Sequence, residues 1–260
     1  MAGSGWISFT TDYGLSDGFV AACHGVIARI NPTARVIDVT HQIPPGEVRQ
    51  AAAVLAQTVP FLPPAVHLAV VDPGVGTSRR AVALQTPQGM LVGPDNGLLL
   101  WAAEALGGVT AAVALTNREW FAGSSHTFHG RDIFAPAAAH LAGGAPLRDG
   151  GPPVDPASLV RLPELVVRSG PGWLEAEVLT VDRFGNLQLA ASGEALAGLG
   201  ERVRVAGTPA VHGRTFADAP PGGLVVLVDS AGQAAVAVNG GRAAVVLGAG
   251  AGDLLRIETA

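Results

Sequence analysis

The chain has 260 residues, enough for one large domain or two unequal ones with a sizeable core. Hydrophobic residues make up 48% and charged residues 14%, which excludes a disordered chain. The net charge of -5 offers no attraction for nucleic acid or an anionic membrane, and the lack of any lysine among the 16 basic residues excludes a P-loop lysine, a Schiff base and a pyridoxal phosphate site.

The N-terminal stretch "MAGSGWISFT" has no basic segment followed by a long apolar run, so no signal peptide is expected. No segment is apolar for a membrane span, and a cytoplasmic protein is expected. "WISFT" predicts a strand ending at Asp12, and Ser16 is the expected cap of a helix that stops at Asn31-Pro32. On that helix Phe19, Cys23, Val26, Ile27 and Ile30 share a face, so the single cysteine, Cys23, reads as a core thiol. "RVIDVT" is the next strand, Glu47 to Val59 a helix, and "AVHLAVV" a buried strand, followed by "AVALQT" and "MLVG". "NGLLLWAAEAL" predicts a helix, "AAVAL" a strand, and "DIFAPAAAHLAGG" a helix with Pro136 near its first turns. This alternation predicts a Rossmann-like α/β domain over residues 1–145 with a mostly parallel sheet.

Residues 146–172 are dense in Pro and Gly and read as a linker. Over residues 173–260 short β-type runs follow one another: "LEAEVLTV", "NLQLA", "RVRV", "GLVVLVD", "AAVAVN", "AAVVL" and "LLRIE". They predict a smaller all-β, barrel-like domain.

Ligands of open α/β sheets bind outside the carboxyl ends of the strands. Asp12, Asp72 and the pair Asp95-Asn96 all stand at such ends, each within two residues of Gly or Pro. A single Asp there reads as a turn cap, but three on one edge suggest a ligand site. "VVDPGVGTSRR" has the outline of a phosphate loop without its lysine. Gly74 and Gly76 would let the backbone approach something closely, and either Arg79 and Arg80 are a solvated pair or one of them folds back to orient Asp72. In "SHTFHGRDIFAP", His126, His129 and Asp132 recur every three residues, so a metal site is conceivable; His129, between Phe128 and Gly130 on a loop entering a helix, also suits a catalytic imidazole. In the β domain "VDRFGNLQL" places Asp182, Phe184 and Asn186 at a glycine turn, which is either plain hairpin chemistry or an aromatic platform with an amide beside it for a purine.

Taken in order, "TTDYGLSDGFVAACHGVI", "VVDPGVGTSRR", "GPDNGLL", "TFHGRDIFAPAAAHLAGG", "DRFGN" and "TFAD" resemble the S-adenosyl-L-methionine hydroxide adenosyltransferase family, relatives of the fluorinating and chlorinating enzymes. The resemblance implies an α/β domain, a β-barrel-like domain and a homotrimer with active sites at subunit interfaces. It implies hydrolysis of S-adenosyl-L-methionine to adenosine and L-methionine with no metal or other cofactor. Its Asp-Arg-His triad matches Asp72, Arg79 and His129. Its ribose-binding Asp matches Asp12, with Asp17 nearby; Phe128, Gly130 and Phe216 lie within matching motifs. Asp182 and Ser230 match contacts to the methionine end, Asn186 an adenine contact, and the Val238, Asn239 and Gly240 turn backbone contacts to adenine. The halogenating relatives have an aromatic residue where this chain has Asp72. Three alternatives stand beside the hydrolase: a halide-dependent synthase of the same fold, a non-catalytic nucleoside-binding protein, and a metal-dependent hydrolase using His126, His129 and Asp132.

Overall fold

A computed structural model describes residues 5–260; residues 1–4, part of the stretch read as lacking a signal peptide, lie outside the described residues. The chain forms two compact units, the first ending at Leu162 and the second beginning at Pro163.

The first unit holds strands β1 (Trp6–Thr11), β2 (Arg35–Thr40), β3 (Val66–Val70), β4 (Ala81–Gln85), β5 (Met90–Pro94) and β6 (Ala111–Ala114) in one sheet of order β2-β1-β3-β5-β4-β6. The pairings β1–β2, β1–β3 and β3–β5 are parallel, but β4 is antiparallel to both of its neighbours. The sheet is therefore mixed, and the Rossmann-like parallel character holds only for its β2-β1-β3-β5 part. The cause is local: a tight turn closed by the Thr86 amide on the Gly89 carbonyl at 2.9 Å joins β4 to β5, and a tight turn joins only antiparallel strands.

Helices α1 (Phe19–Ile30) and α4 (Ala135–Ala142) cover one face of the sheet, packing on Ile7, Phe9, Leu68 and Val92. Helices α2 (Val48–Thr58) and α3 (Leu100–Ala105) cover the other, on Ala69, Val71, Leu84 and Leu91. Along β3 the side chains of Val66, Leu68 and Val70 enter the first core while Ala69 enters the second, so a continuous apolar run serves two faces. Helix α1 begins later than expected: Gly18 stands at its N-cap with no side-chain cap, so Ser16 does not cap it. Residues 146–162 lie on the first unit, where the Val154 amide donates to the Ala112 carbonyl at 2.8 Å and Leu147 and Leu159 are buried.

The second unit contains β7 (Val167–Gly170), β8 (Trp173–Val181), β9 (Leu187–Ser192), β10 (Arg202–Val205), β11 (Thr208–His212), β12 (Leu224–Val228), β13 (Gln233–Val238) and β14 (Leu254–Thr259). Seven of these close a barrel in the order β8-β9-β13-β12-β11-β10-β14, with β14 pairing back onto β8. Alternate residues, among them Leu174, Ala176, Val178, Val203, Val205, Leu255 and Ile257, fill its interior. "AAVVL", read as a strand, is instead helix α5 (Ala243–Leu247), closed by Gly248 in the left-handed region (φ 60°). Ala243 is buried while Val245 and Val246 face solvent, so one helical turn absorbs a β-branched run too short for its periodicity to decide. Among the described residues no helix is long and apolar enough to cross a membrane.

Candidate active site

The carboxyl edge of the first sheet collects the polar groups. Strands β1 and β3 end there and deliver Asp12 and Asp72. Because β4 runs antiparallel, it begins at the same edge, and Arg79 and Arg80 immediately precede it. The intervening loop is a pair of tight turns, with Val75 N–H on the Asp72 carbonyl at 3.1 Å and Thr77 N–H on the Gly74 carbonyl at 3.2 Å. It folds Arg79 back: Nε donates to Asp72 Oδ1 at 2.9 Å and Oδ2 at 3.0 Å, and Nη2 contacts Oδ2 as well. The same Nη2 donates to His129 Nδ1 at 2.8 Å. Of the two arginines, then, one returns to Asp72; Arg80 instead pairs with Asp95 (Nε to Oδ2, 2.7 Å).

Both loop glycines are explained inside the protein. A Cβ on Gly74 would lie 3.3 Å from Arg79 Cγ, and one on Gly76 (φ +78°) would lie 2.5 Å from the His126 carbonyl oxygen. The loop is shaped to let Arg79 return and to let the His126 segment close over it.

His129 precedes a π-helical turn, Gly130–Phe134, that feeds α4. Pro136 has no N–H to bond the Asp132 carbonyl, which accepts from the Ala122 amide at 3.0 Å instead. Arg79 can only donate, so His129 Nδ1 must accept, and the neutral ring carries its proton on Nε2. Burial and then the Arg79 charge push the His129 pKa below its ordinary value, which agrees with a neutral ring.

Asp132 plays a different part from the metal ligand considered above. Its carboxylate accepts from Arg131 at 2.6 and 3.0 Å and from the Ser125 amide at 2.8 Å. Burial raises its pKa, but these hydrogen bonds outweigh burial and leave it below the usual range. The metal reading of His126, His129 and Asp132 thereby loses its carboxylate, which is committed to holding the loop.

A cavity of about 230 Å³ opens beside the Asp72–Arg79–His129 chain, lined by Asp12, Tyr13, Asp72, Phe128, His129 and Gly130 among others. Asp12 is steadied by the Gly46 amide on Oδ2 at 2.9 Å. Tyr13 was missed in the sequence, although it is the one tyrosine and directly follows Asp12. Its ring meets Phe128 edge-on at 5.6 Å, and Phe128 meets Phe19 at 5.2 Å, so Tyr13 and Phe128 form an aromatic wall of the cavity with Phe19 packed behind it. Burial first, and then nearby acidic groups, raise the Tyr13 phenol pKa well above its ordinary value, so it stays a hydrogen-bond donor. Gly130 is held to glycine by that phenol, since a Cβ would lie 1.9 Å from Tyr13 Oη. Asp17 is exposed and does not line this cavity. Asp95 and Asn96 serve the scaffold: Asp95 binds Arg80 and the Val160 amide, and Asn96 Nδ2 donates to the Val71 carbonyl.

In the second unit Asp182 and Asn186 close the β8–β9 turn on each other, through the Asn186 amide to Oδ1 and Nδ2 to Oδ2, both at 2.8 Å. Phe184 at the tip is 74% exposed and Phe216 51%, large apolar surfaces left to solvent within this unit. The β13–β9 register, Val236 opposite Leu187 and Gln233 opposite Ser192, places Val238, Asn239 and Gly240 at the same end of the barrel as Asn186. Ser230, in the β12–β13 turn, stands at the other end. Asn239 Nδ2 donates to the Ala219 carbonyl at 2.8 Å, and Gly240 has φ +75°.

A carboxylate, a guanidinium and a neutral imidazole joined in series beside a small cavity, at the carboxyl edge of an α/β sheet, define a small-molecule enzyme. Sequence comparison specifies which kind. The SAM hydroxide adenosyltransferase N-terminal domain matches residues 7–151, and the C-terminal domain of that family matches residues 176–256. The chain belongs to this family. It is 69% identical to a protein of Salinispora arenicola named (R)-S-adenosyl-L-methionine hydrolase, over 99% of both chains. A protein of Actinoplanes sp. named fluorinase is 30% identical over 70% of each chain. A crystal structure of an uncharacterized conserved protein from Thermotoga maritima superposes with a TM-score of 0.89 at 40% identity, covering 96% of this chain and 99% of that one.

Proposed function

We propose that this enzyme hydrolyses S-adenosyl-L-methionine, in the (R) form named for its relative, to adenosine and L-methionine. The observation that carries the mechanism is the Asp72–Arg79–His129 chain. Water attacks C5′ of the ribose in line with the C5′–S bond. The new bond is C5′–O, the C5′–S bonding pair leaves on the methionine sulfur, and one proton is released. A hydroxide-like oxygen meeting a sulfonium cancels charge in the transition state, so a cavity with little water favours it.

His129 cannot take the proton at Nδ1, which accepts from Arg79, and its Nε2 already carries one. Its role in this reading is to donate from Nε2 and hold the attacking oxygen. Asp72 retains lone pairs beyond those used by Arg79 and accepts the water proton. Arg79 locks both partners and stabilises the negative charge that develops between them. Asp12 binds the ribose hydroxyls, and the aromatic wall of Tyr13 and Phe128 limits solvent access.

The same reading takes the enzyme to be a cytoplasmic homotrimer that needs no metal or other cofactor. Asp182, Phe184, Asn186, Phe216 and the Val238–Gly240 turn of a neighbouring copy then complete the substrate site, with Ser230 outside it at the other end of the barrel, which gives the exposed Phe184 and Phe216 a role. Light scattering would read the assembly directly, and a monomer would sink that part.

The deciding experiment is turnover of S-adenosyl-L-methionine in oxygen-18 water, with each sulfonium epimer supplied separately. Label in the 5′-hydroxyl of adenosine is expected. A 5′-halo product on addition of chloride or fluoride would assign the chain to halide chemistry, and tight adenosine binding without turnover would make it a binding protein.

A further inference from the structure

We propose a second, previously unassigned site in this protein: a divalent transition-metal site of the zinc class, built from His24 of α1, Asp38 of β2 and His41 just beyond β2. Among the described residues this is the group of three His, Cys, Asp or Glu side chains whose ligand atoms all lie within 4.8 Å of one another. Asp38 Oδ1 stands 2.9 Å from His24 Nε2 and 3.0 Å from His41 Nε2. Ligands about 2.0–2.1 Å from a tetrahedral zinc sit about 3.3 Å apart, so both imidazole nitrogens already stand near ligand spacing from the Asp38 oxygen.

The second observation is on His41. The residue is 4% exposed, yet its Nε2 makes no hydrogen bond of acceptable geometry, although it faces the cluster. Its other nitrogen, Nδ1, is 2.9 Å from Thr11 Oγ1. With the ring proton on Nδ1 and donated to Thr11, Nε2 presents a bare lone pair beside a carboxylate oxygen. Two acceptors at 3.0 Å repel each other unless a cation lies between them. A ligating histidine whose other nitrogen is held by a hydrogen bond is the usual outer arrangement of a metal site. Phe9, fully buried, packs on both rings, at 5.8 Å from His24 and 4.8 Å from His41, and so restricts their orientation.

The donor set chooses the metal. Two imidazoles and one carboxylate suit zinc and its neighbours in the first transition row, whereas magnesium and calcium prefer oxygen throughout. Asp38 is half-exposed, so water completes the coordination and the ion can enter from solvent. The three residues are separate from the Asp72–Arg79–His129 chain. One link exists: His41 holds Thr11, the neighbour of Asp12, so occupancy would steady the end of β1.

The test is equilibrium dialysis of the chelator-stripped full chain against Zn²⁺, with metal analysis and a thermal melt. The expected result is one Zn²⁺ per chain and a raised Tm, with Mg²⁺ producing neither. His24→Ala lies at a half-exposed position and should fold normally; it is expected to weaken Zn²⁺ binding roughly tenfold or more, as is Asp38→Asn. A control, His212→Ala in the second unit, should bind like the parent. Failure of the parent chain to bind one equivalent overturns the site, and so does equal binding by parent, His24→Ala and Asp38→Asn.

Discussion

Arg79 donates from Nη2 to Nδ1 of His129 at 2.8 Å, and this single bond decides which nitrogen of the imidazole carries the proton. The ring is expected to be the neutral Nε2–H tautomer at pH 7, which nitrogen-15 chemical shifts would report. Burial and the Arg79 charge lower its pKa from 6.5. Because the folded pKa lies below the unfolded one, the unfolded chain binds protons first, and this residue's contribution to stability diminishes as pH falls below about 6.5. The acid limb of turnover should lie below that pH for the same reason. Arg79→Gln should raise the His129 pKa, and an unchanged value would remove Arg79 as a cause.

Asp72→Asn keeps the shape of the side chain and removes its charge. In the proposed mechanism kcat falls by about 10²–10⁴-fold with little change in substrate affinity. Arg79, 11% exposed, would lose its anionic partner, so stability should fall as well, by up to about 3 kcal/mol. Single-turnover rates and denaturant unfolding separate the two effects. Retention of full turnover would take Asp72 out of the chemistry.

Gly130→Ala places a methyl group where Tyr13 Oη now lies, with 1.9 Å between the two. The ring must move into the cavity, and KM should rise roughly tenfold while the fold persists. Tyr13→Phe removes the clashing oxygen and leaves Cζ at 3.0 Å, so the double variant should recover part of the loss. No recovery would mean that the glycine is required for another reason.

His67 offers a pH test remote from the site. It lies on β3, is 1% exposed, and its Nδ1 is 2.8 Å from Ser8 Oγ. Burial pushes its pKa down from 6.5 to about 4. The unfolded state therefore takes up the proton first, and stability should fall progressively between pH 6.5 and about 4, by roughly 3 kcal/mol in all. His67→Gln should flatten that slope in urea unfolding series. A slope identical to the parent's would show that other groups cause it.

Much of this was legible in the chain. The α/β alternation, the β-rich second half and the placement of Asp12 and Asp72 at strand ends follow from local periodicity and turn chemistry. Residue patterns placed Asp72 and His129 on loops but left Arg79 and Arg80 as alternatives, and only the family resemblance named Asp72, Arg79 and His129 together. Tyr13 was overlooked because an aromatic beside a turn has no periodic signature. Ser16 and "AAVVL" misled because a cap and a five-residue run depend on what packs against them.

By itself the sequence determined which residues could meet at the sheet edge, since strand patterns and turn residues are local properties. Tertiary structure decided how they meet. The β4–β5 turn reverses β4 and so brings its entrance to the edge where Asp72 lies, and there Arg79 pairs with Asp72 while Arg80 pairs with Asp95. The His129 loop packs on Gly76 and so presents Nδ1 to the guanidinium. Contacts between residues 50 positions apart, such as Arg79 and His129, arise from packing and hydrogen bonding across the fold, and no local pattern encodes their direction.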